Sequence, residues 1–269
     1  MRLALVVTTY NRPDALRAVL DAYREQTDKD FQLIVADDGS EDTTRQLVAE
    51  YRQHFKQGLL HIWQEDRGFR AAAIRNRACA ATDADYLVFT DGDCIPATSF
   101  IAAHRSLARP DCFVAGNRVL LSQSFTHKVL TKRLPLHHWT SMQWLGARLR
   151  GDMNRILPLF ELGADWGFRD RQPQRWEGVK TCNLAVWRKA LLAVNGFDES
   201  YEGWGMEDSD LVIRLLRYGQ THRNGRFSTK LFHLWHPEND RSKLLENQRK
   251  LKQLLERNEV KASFGLDRY

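Results

Sequence analysis

Two aspartates, Asp91 and Asp93, end the apolar run that begins at Leu87, and only Gly92 separates them. Residues two apart on an extended backbone point the same way, and the glycine permits both a turn and the close approach of a phosphate. Two carboxylates on one side are suitable ligands for Mg²⁺ or Mn²⁺ bound to a diphosphate. An Asp-Gly turn capped by a second aspartate explains the same residues about as well, so the rest of the chain must decide.

The segments before this run repeat a strand, a polar loop and a helix. The predicted strands cover residues 3–9, 31–36 and 59–63, and the predicted helices cover 14–23, the region around 47–51, and 71–81. This alternation is typical of a parallel sheet with ligand groups beyond the carboxyl ends of its strands. The first loop, from Thr8 to Pro13, contains no glycine, which argues against a nicotinamide or flavin dehydrogenase.

Polar side chains follow successive strands of this pattern. Thr8, Asp38 and Asp91 would meet at one edge of the sheet, where they could hold a nucleoside while Arg75 faces its base or phosphate. An Asx turn or a helix N-cap explains any one of these loops taken alone. Three such loops in phase favour a nucleotide site.

The second half of the chain, after predicted strands at 112–121 and 181–187, supplies a further group of carboxylates. Glu207 and Asp208 open a predicted helix, directly after Trp204 and Gly205. Capping accounts for any single acidic residue in a first turn, but several carboxylates beside a glycine-flanked tryptophan exceed that need. The indole face suits a sugar, and a neighbouring carboxylate can accept a hydroxyl proton.

Two histidines, His233 and His236, lie on the same side of a predicted extended segment. Such a pair is more often packed or solvent-facing than metal-bound. An imidazole would nevertheless complete a metal site that Asp93 begins.

The composition fits one large α/β domain or two small ones, with 269 residues and 43% hydrophobic content. The net charge of +6 invites an anionic partner, which could be nucleic acid, an acidic membrane surface or a phosphorylated small molecule. Residues 122–180 interleave basic and aromatic side chains without a clear period, as single-strand binders do. Solvated helical faces or a flexible acceptor-site insertion are commoner, so no nucleic acid is expected.

The remaining features concern location. No apolar run is long enough to span a bilayer, and the N-terminal apolar stretch is too short for a signal peptide. We therefore expect a soluble cytoplasmic protein, with the inner face of the membrane as a second possible place.

The four cysteines lack metal-binding spacing and are expected to be reduced. A charged helix over 241–262 is expected to dock on the body, with a membrane-surface role as the alternative; its apolar stripe comprises Leu244, Leu251, Leu254 and Leu255.

Four segments of the first half resemble the family 2 inverting nucleotide-sugar glycosyltransferases of GT-A fold. These segments are Thr8–Pro13, Ala36–Ser40, Gly68–Asn76 and Thr90–Asp93. The segment from Asn183 to Leu216 resembles the galactosyltransferase-type region of β-1,4-galactosyltransferases, polypeptide N-acetylgalactosaminyltransferases and bacterial chondroitin-type polymerases. The resemblance covers about residues 3–121 and 176–237 and implies a Rossmann-like, mostly parallel central sheet flanked by helices.

The same resemblance implies a UDP-sugar donor, a Mn²⁺ or Mg²⁺ ion, and a glycan or lipid-linked acceptor. The residues expected at the donor nucleotide, with Asp37 supporting its loop, are Thr8, Tyr10, Arg12, Asp37, Asp38, Gly68, Arg70, Arg75 and Asp91. The residues expected at the metal are Asp93, Asp91 and His233, with His236 as the competitor. Trp204, Gly205 and Glu207 would hold the acceptor sugar, and Asp208 would be the base. One departure is Asp66-Arg67-Gly68, which stands where many members carry an asparagine before the glycine.

We expect a donor half at 1–121, an acceptor-binding and catalytic half of the same domain at 122–240, and a helical tail at 241–269. Inversion needs a single displacement, with a base on the acceptor hydroxyl opposite the metal and no covalent nucleophile. Two alternatives remain open. A sugar-1-phosphate nucleotidyltransferase would need a glycine-rich basic first loop, and a non-catalytic carbohydrate- or nucleic-acid-binding module would not need the carboxylates.

Overall fold

The computed structural model describes residues 1–156 and 160–269, and a mixed sheet lies at its centre. The strands are β1 (Leu3–Thr9), β2 (Gln32–Asp37), β3 (Leu59–Trp63), β4 (Tyr86–Asp91), β5 (Cys94–Pro96), β6 (Cys112–Ala115), β7 (Val119–Leu120), β8 (Leu184–Trp187), β9 (Thr221–Asn224) and β10 (Leu231–His233). The helices are α1 (Pro13–Arg24), α2 (Asp42–Tyr51), α3 (Ala71–Ala80), α4 (Phe100–Leu107), α5 (Gln123–Lys132), α6 (Ser141–Leu149), α7 (Arg188–Ala193), α8 (Glu207–Arg217) and α9 (Leu244–Glu256).

The seven-stranded sheet has the order β3-β2-β1-β4-β8-β6-β9, and a smaller sheet has the order β5-β10-β7. In the large sheet β8 runs antiparallel to both neighbours, and the other pairs are parallel, which confirms the predicted mostly parallel sheet. Strands from both sides of residue 121 share this sheet. The division of the chain at residues 121 and 240 stays a prediction.

The large sheet is covered on both faces, which explains the uninterrupted apolar character of its strands. Leu5 and Val7 of β1 pack in the layer that contains α1 and α2. Ala4 and Val6 of the same strand pack in the layer that contains α3, α7 and α8. Helices on two faces leave the carboxyl edge of the parallel strands open for polar loops.

The predicted strand at 112–121 is wrong in extent, because it divides into β6 and β7. The backbone of Gly116 lies against other parts of the chain, and a Cβ there would be 2.1 Å from Thr229 Oγ1. The predicted strand at 181–187 is also too long, since residues Thr181–Asn183 form one 3₁₀ turn before β8. The 3₁₀ turn before β8 places Thr181 beside Asp208.

The chain passes from the large sheet into the small sheet at Asp91 and Asp93, where the apolar run from Leu87 ends. β4 ends at Asp91 in the large sheet, and β5 begins at Cys94 in the small one. Gly92 lies at the crossing, where a Cβ would be 2.9 Å from Thr9 Oγ1. The smaller sheet then pairs β5 with β10, which brings His233 opposite Cys94.

Residues 122–180 include two α-helices, α5 and α6. Of the two common alternatives for this segment, solvated helical faces therefore describe it better than a flexible insertion.

The tail helix α9 is shorter than predicted. It packs Leu251 and Leu254 against Ile213 of α8, which confirms the predicted docking. Leu255 does not belong to the buried stripe, since 47% of its surface is exposed.

Two expectations about location and redox state can be compared with the structure. All four cysteines are buried and free, as predicted. Among the helices of the described ranges, none combines the length and the apolar character that crossing a bilayer requires.

Candidate active site

The sheet register brings the predicted donor residues to one edge. Thr8 pairs directly with Asp91 of β4, and Thr9 pairs with Asp37 of β2. Asp37 is fully buried beneath its loop, where it accepts hydrogen bonds of 2.8 Å from the Ser40 backbone N–H and from His61 Nε2. Asp37 therefore holds the loop in shape, the role that the sequence predicted for it.

Asp38 joins two loops of this edge. Its carboxylate accepts a hydrogen bond of 2.7 Å from the backbone N–H of Arg70 and another from the side-chain amide of Gln64. Burial raises the pKa of Asp38, while these bonds lower it. Gly39 packs against the second loop at a φ of +100°, and a Cβ there would lie 2.6 Å from Asp66 Cα. Only glycine fits at this crossing.

Asp66 organises the rim of the cleft, although the sequence marked it only as a departure from the family pattern. One of its oxygens accepts a hydrogen bond of 2.8 Å from Tyr10 Oη, and the other accepts one of 3.0 Å from the Gly68 backbone N–H. Tyr10 is 48% exposed, so its ring is open to a ligand. Arg12 lies farther along the same rim and pairs with Asp14 at 3.0 Å.

Arg75 lies between the two groups of carboxylates, a position that the sequence did not predict. Its guanidinium is 3.4 Å from Asp91, 3.2 Å from Glu207 and 3.9 Å from Asp208, and its Nε donates to Thr8 Oγ1 at 3.2 Å. The side chain is 5% exposed. Arg75 thus connects the end of β4 to the start of α8, and its contact with the donor nucleotide stays a prediction.

Glu207 and Asp208 begin α8 directly after Met206, which has a left-handed φ of +78°. Asp208 accepts a hydrogen bond of 2.8 Å from Thr181 Oγ1, and Lys180 Nζ is 3.8 Å from its other oxygen. No pattern in the sequence marked Lys180 or Thr181 as site residues. They are brought to Asp208 by the 3₁₀ turn that precedes β8.

Glu207 is the carboxyl group whose proton affinity is most altered near this centre. Burial raises its pKa to about 7, the Asp208 carboxylate acts in the same direction, and Arg75 opposes both. Its Oε2 atom is buried without a hydrogen-bond partner among the described residues. Burial likewise raises the pKa of Asp91 to about 6, with Arg75 lowering it and Asp93 raising it. A carboxyl group that titrates near neutral pH is suited to proton transfer or to donating a hydrogen bond.

Asp93 lies beside two histidines, whereas Asp91 pairs with Arg75 at 3.4 Å. One Asp93 oxygen is 3.7 Å from His233 Nε2, and the other is 3.4 Å from His236 Nε2. Burial lowers the pKa of His233 to about 4, so its imidazole is neutral at pH 7. The Nδ1 atom of His236 is 2.6 Å from the carbonyl oxygen of Pro237, which accepts its hydrogen bond, so Nε2 is the nitrogen that faces Asp93.

This donor set fits a divalent metal of the Mn²⁺ class, since it combines carboxylate oxygen with neutral imidazole nitrogen. Ligand atoms of Asp93, Cys94 and His233 lie within 4.8 Å of one another. Both histidines reach Asp93, so the choice between His233 and His236 stays open. Asp91 stays a predicted ligand, and its carboxylate also lies within 4.8 Å of Cys94 Sγ.

The expected sugar platform at Trp204 is partly covered. The indole is half-buried, and the guanidinium of Arg241 lies 5.1 Å from its ring centroid. Gly205 follows at a φ of +106°, beside Leu244 of α9. One face of the ring is thus occupied by a cation from the segment before α9, which sequence patterns did not indicate.

Replacing Glu207 with glutamine is expected to stabilise the protein above neutral pH. A carboxyl group whose pKa rises from 4.5 when unfolded to about 7 when folded stabilises the fold below pH 4.5, and this contribution is lost as the pH rises through 7. Glutamine does not ionise, so the variant should match the wild type at about pH 4 and exceed it by up to about 3 kcal/mol at about pH 8. Denaturant unfolding at both pH values measures the difference in the free energy of unfolding between the variant and the wild type. A difference of equal size at both pH values would contradict ionisation of Glu207 as its cause.

Comparison with known families gives two matches along the chain. The family model for glycosyl transferase family 2 matches residues 4–169, and the model described as the N-terminal domain of galactosyltransferase matches residues 168–237. The two models together cover both carboxylate groups of the cleft.

Curated relatives are similar over most of this chain. The validoxylamine A glucosyltransferase of Streptomyces hygroscopicus subsp. jinggangensis is 29% identical over 225 residues, which is 81% of this chain and 52% of that protein. The chondroitin synthase of Escherichia coli is 27% identical over 237 residues, which is 81% of this chain and 32% of that protein. The chain therefore spans about half the length, or less, of these relatives.

Solved structures share the fold. The mannosyltransferase PcManGT from Pyrobaculum calidifontis, in complex with GDP-Man and Mn²⁺, aligns with a TM-score of 0.64 at 18% identity, over 94% of this chain and 64% of the other. S. aureus TarS 1–349 in complex with UDP-GlcNAc aligns with a TM-score of 0.60 at 15% identity, over all of this chain and 69% of the other. These neighbours are GT-A glycosyltransferases, and the GT-A fold predicted from sequence is confirmed. The chain belongs to glycosyl transferase family 2.

Proposed function

We propose that this glycosyltransferase moves a hexose or N-acetylhexosamine from a UDP-sugar to a hydroxyl group of a glycan acceptor, with inversion at the anomeric carbon. The observation that carries the proposal is the ion-pair cluster around Arg75, which joins the end of donor strand β4 to the acidic start of α8 in one cleft. A donor site and a base on opposite sides of one cleft are what a single displacement requires.

In this proposal Asp208 is the base that takes the proton from the acceptor hydroxyl. Its carboxylate is fixed by the Thr181 hydroxyl, which holds it in one orientation at the start of the helix. Glu207, with an unpartnered buried oxygen and a pKa near 7, holds the acceptor sugar, together with Trp204 and Gly205. The sugar then transfers without a covalent intermediate on the enzyme.

The donor half of the proposal assigns the nucleotide to the carboxyl edge of β1 and β2. Thr8, Tyr10 and Asp38 contact the uridine, and Arg12, Gly68 and Arg70 border it, while Asp37 and Asp66 keep the two loops in place. Asp93, with His233 or His236, would hold Mn²⁺ or Mg²⁺. When bound, this ion supplies positive charge that stabilises the leaving diphosphate.

The acceptor in this proposal is a glycan of a bacterial surface polysaccharide or lipopolysaccharide, free or linked to a lipid. The support is the E. coli relative named a chondroitin synthase, together with the cationic character of the chain. A cytoplasmic place at the inner face of the membrane would suit a lipid-linked acceptor. The nucleotidyltransferase and the non-catalytic module have no comparable support.

Calorimetry of UDP binding tests the donor and metal assignments together. With Mn²⁺ present, UDP is expected to bind at least about tenfold more tightly than with a chelator, because the carboxylates alone repel a diphosphate. Asp93→Asn should remove most of this difference. Asp83→Asn, an exposed aspartate before the opposite end of β4, is the matched control and should behave as wild type.

Two results would contradict these assignments. Equal UDP affinity with Mn²⁺ and with chelator would remove the metal from the proposal. GDP binding as tightly as UDP would remove the preference for uridine, which matters because the two solved neighbours were crystallised with different nucleotides.

A further inference from the structure

The helices α5 and α6 carry an unusual distribution of charge. From residue 122 to 151 the chain contains five lysines and arginines and no aspartate or glutamate, although the whole chain has 34 acidic residues. Four of these cations, Lys128, Lys132, Arg133 and Arg148, are exposed and have no ion-pair partner among the described residues; the fifth, Arg150, pairs with Asp152 at 2.9 Å. The charged side chains of this segment are therefore all cationic, although Asp14 and Asp21 of α1, with Glu25 directly after that helix, line a cavity together with Arg133.

The helix α6 is apolar on its outer face as well as on its inner face. Trp144 and Ala147 are buried, whereas Met142, Leu145 and Leu149 are 75%, 42% and 80% exposed. The three exposed residues are spaced by three and four positions, so they share one face of the helix. A stripe of large apolar side chains in water, beside free cations, is typical of a helix that lies in a membrane interface.

The same helix is anchored to the strand that carries a candidate metal ligand. Trp144 stacks on Phe232 with a centroid distance of 4.1 Å and an interplanar angle of 15°. Phe232 precedes His233 in β10, and Trp139 continues the aromatic contacts from α6 to Phe125 of α5. A lipid surface bound to α6 would therefore be held close to the candidate active site.

We propose that the outer faces of α5 and α6 bind an anionic lipid bilayer, with Met142, Leu145 and Leu149 inserted among the acyl chains and Lys128, Lys132 and Arg148 at the phosphates. The charge complementarity selects an anionic membrane as the occupant, since an uncharged partner would leave these cations desolvated. This proposal rests on the proposed function, because membrane binding would bring the enzyme to a lipid-linked acceptor. Lipid binding itself does not require glycosyl transfer.

Sedimentation with phosphatidylcholine vesicles, with and without phosphatidylglycerol, tests the proposal on the full chain. Wild type should bind only the vesicles with phosphatidylglycerol, and less tightly as salt rises. Lys128→Gln with Lys132→Gln should weaken binding about fivefold for each cation. Met142→Ser with Leu145→Ser and Leu149→Ser should weaken it at least about tenfold.

The control is the pair Leu245→Ser and Leu255→Ser on α9, which removes leucines that are 69% and 47% exposed, and it should bind like wild type. Thermal unfolding must be unchanged in all variants, since each altered side chain is on the surface. Absence of binding to either vesicle, or equal binding by the triple serine variant, overturns the proposal. The proposal is also overturned if the triple serine substitution converts a dimer to a monomer and no lipid binding is seen. The face would then be an interface between two copies of the chain.

Transfer to a soluble glycan acceptor separates this proposal from the proposed function. The triple serine variant should keep its transfer rate on such an acceptor while it loses vesicle binding. If the protein binds vesicles but transfers no sugar from a UDP-sugar, the proposed lipid-binding surface is kept and the UDP-sugar assignment is rejected.

Discussion

Asp208→Asn is expected to lower the rate of sugar transfer by about a hundredfold or more, while the dissociation constant for the donor nucleotide changes little. The loss corresponds to at least about 2.7 kcal/mol of transition-state stabilisation, the scale expected for removing a general base. Asparagine keeps the size of the side chain and can still accept a hydrogen bond from Thr181 Oγ1, 2.8 Å away in the wild type. A folding defect is therefore not the expected cause of the lost rate.

The measurement is a pair of values for each variant: the donor dissociation constant by titration and the transfer rate at saturating acceptor. Glu207→Gln provides the matched comparison, because it lies at the adjacent position of the same helix and its acid has a pKa near 7. In the proposed assignment Glu207→Gln raises the acceptor KM more than it lowers the rate.

Three outcomes are distinguishable. If Asp208→Asn transfers normally while Glu207→Gln is inactive, Glu207 is the base. If both keep full activity, neither residue takes the proton and the proposed centre is wrong. A bell-shaped or sigmoid pH dependence whose acidic limb near pH 7 disappears in Glu207→Gln would identify that carboxyl group as the titrating one.

The fold was predictable because its information is local. Each parallel strand of the first half is a short apolar run ended by polar residues, as at Thr8 and Asp91, and buried parallel strands have this signature. The predicted strand bounds were wrong where contacts between residues far apart in the sequence determine the backbone conformation. Gly116 leaves the sheet because its backbone packs on Asn183 and Thr229, which lie far away in the sequence.

The sequence indicated candidate site residues but not their pairing. The types and positions of Asp91, Asp93, Glu207 and His233 indicated a donor site and a base; the structure pairs Asp91 and Glu207 with Arg75, and Asp93 with His233. The sequence could not indicate that Arg75 pairs with carboxylates from both halves, since these partners are up to 133 residues away. Lys180 and Thr181 were missed for the same reason, because only the turn before β8 brings them to Asp208.

Arg75→Met is expected to lower the free energy of unfolding by about 3–5 kcal/mol, the usual cost of removing one partner from a buried ionic cluster. Three carboxylates would lose a common cation: Asp91 at 3.4 Å, Glu207 at 3.2 Å and Asp208 at 3.9 Å. Methionine has a similar volume and no charge, so the packing against Phe197, now 5.5 Å from the guanidinium, should change little.

The pH dependence separates loss of charge from loss of packing. Arg75 lowers the pKa of Asp91 and of Glu207, so without it both carboxyl groups hold their protons to a higher pH than in the wild type. Their ionisation then opposes folding, and the loss of stability should be larger at about pH 8 than at about pH 5. A packing defect would cost the same at both.

Denaturant unfolding of four variants beside the wild type completes the test of Arg75. Arg77→Met is the matched control, since Arg77 is exposed on the same helix and should change stability by no more than about 0.5 kcal/mol. Arg75→Lys should recover only part of the loss, because an ammonium cannot reach all three carboxylates as the guanidinium does. Arg75→Met combined with Glu207→Gln should be more stable at about pH 8 than Arg75→Met alone, since one of the stranded carboxylates is gone. If Arg75→Met unfolds at the same denaturant concentration as the wild type, the cluster does not hold the two halves of the cleft together, and the position of Asp208 beside the donor site must have another cause.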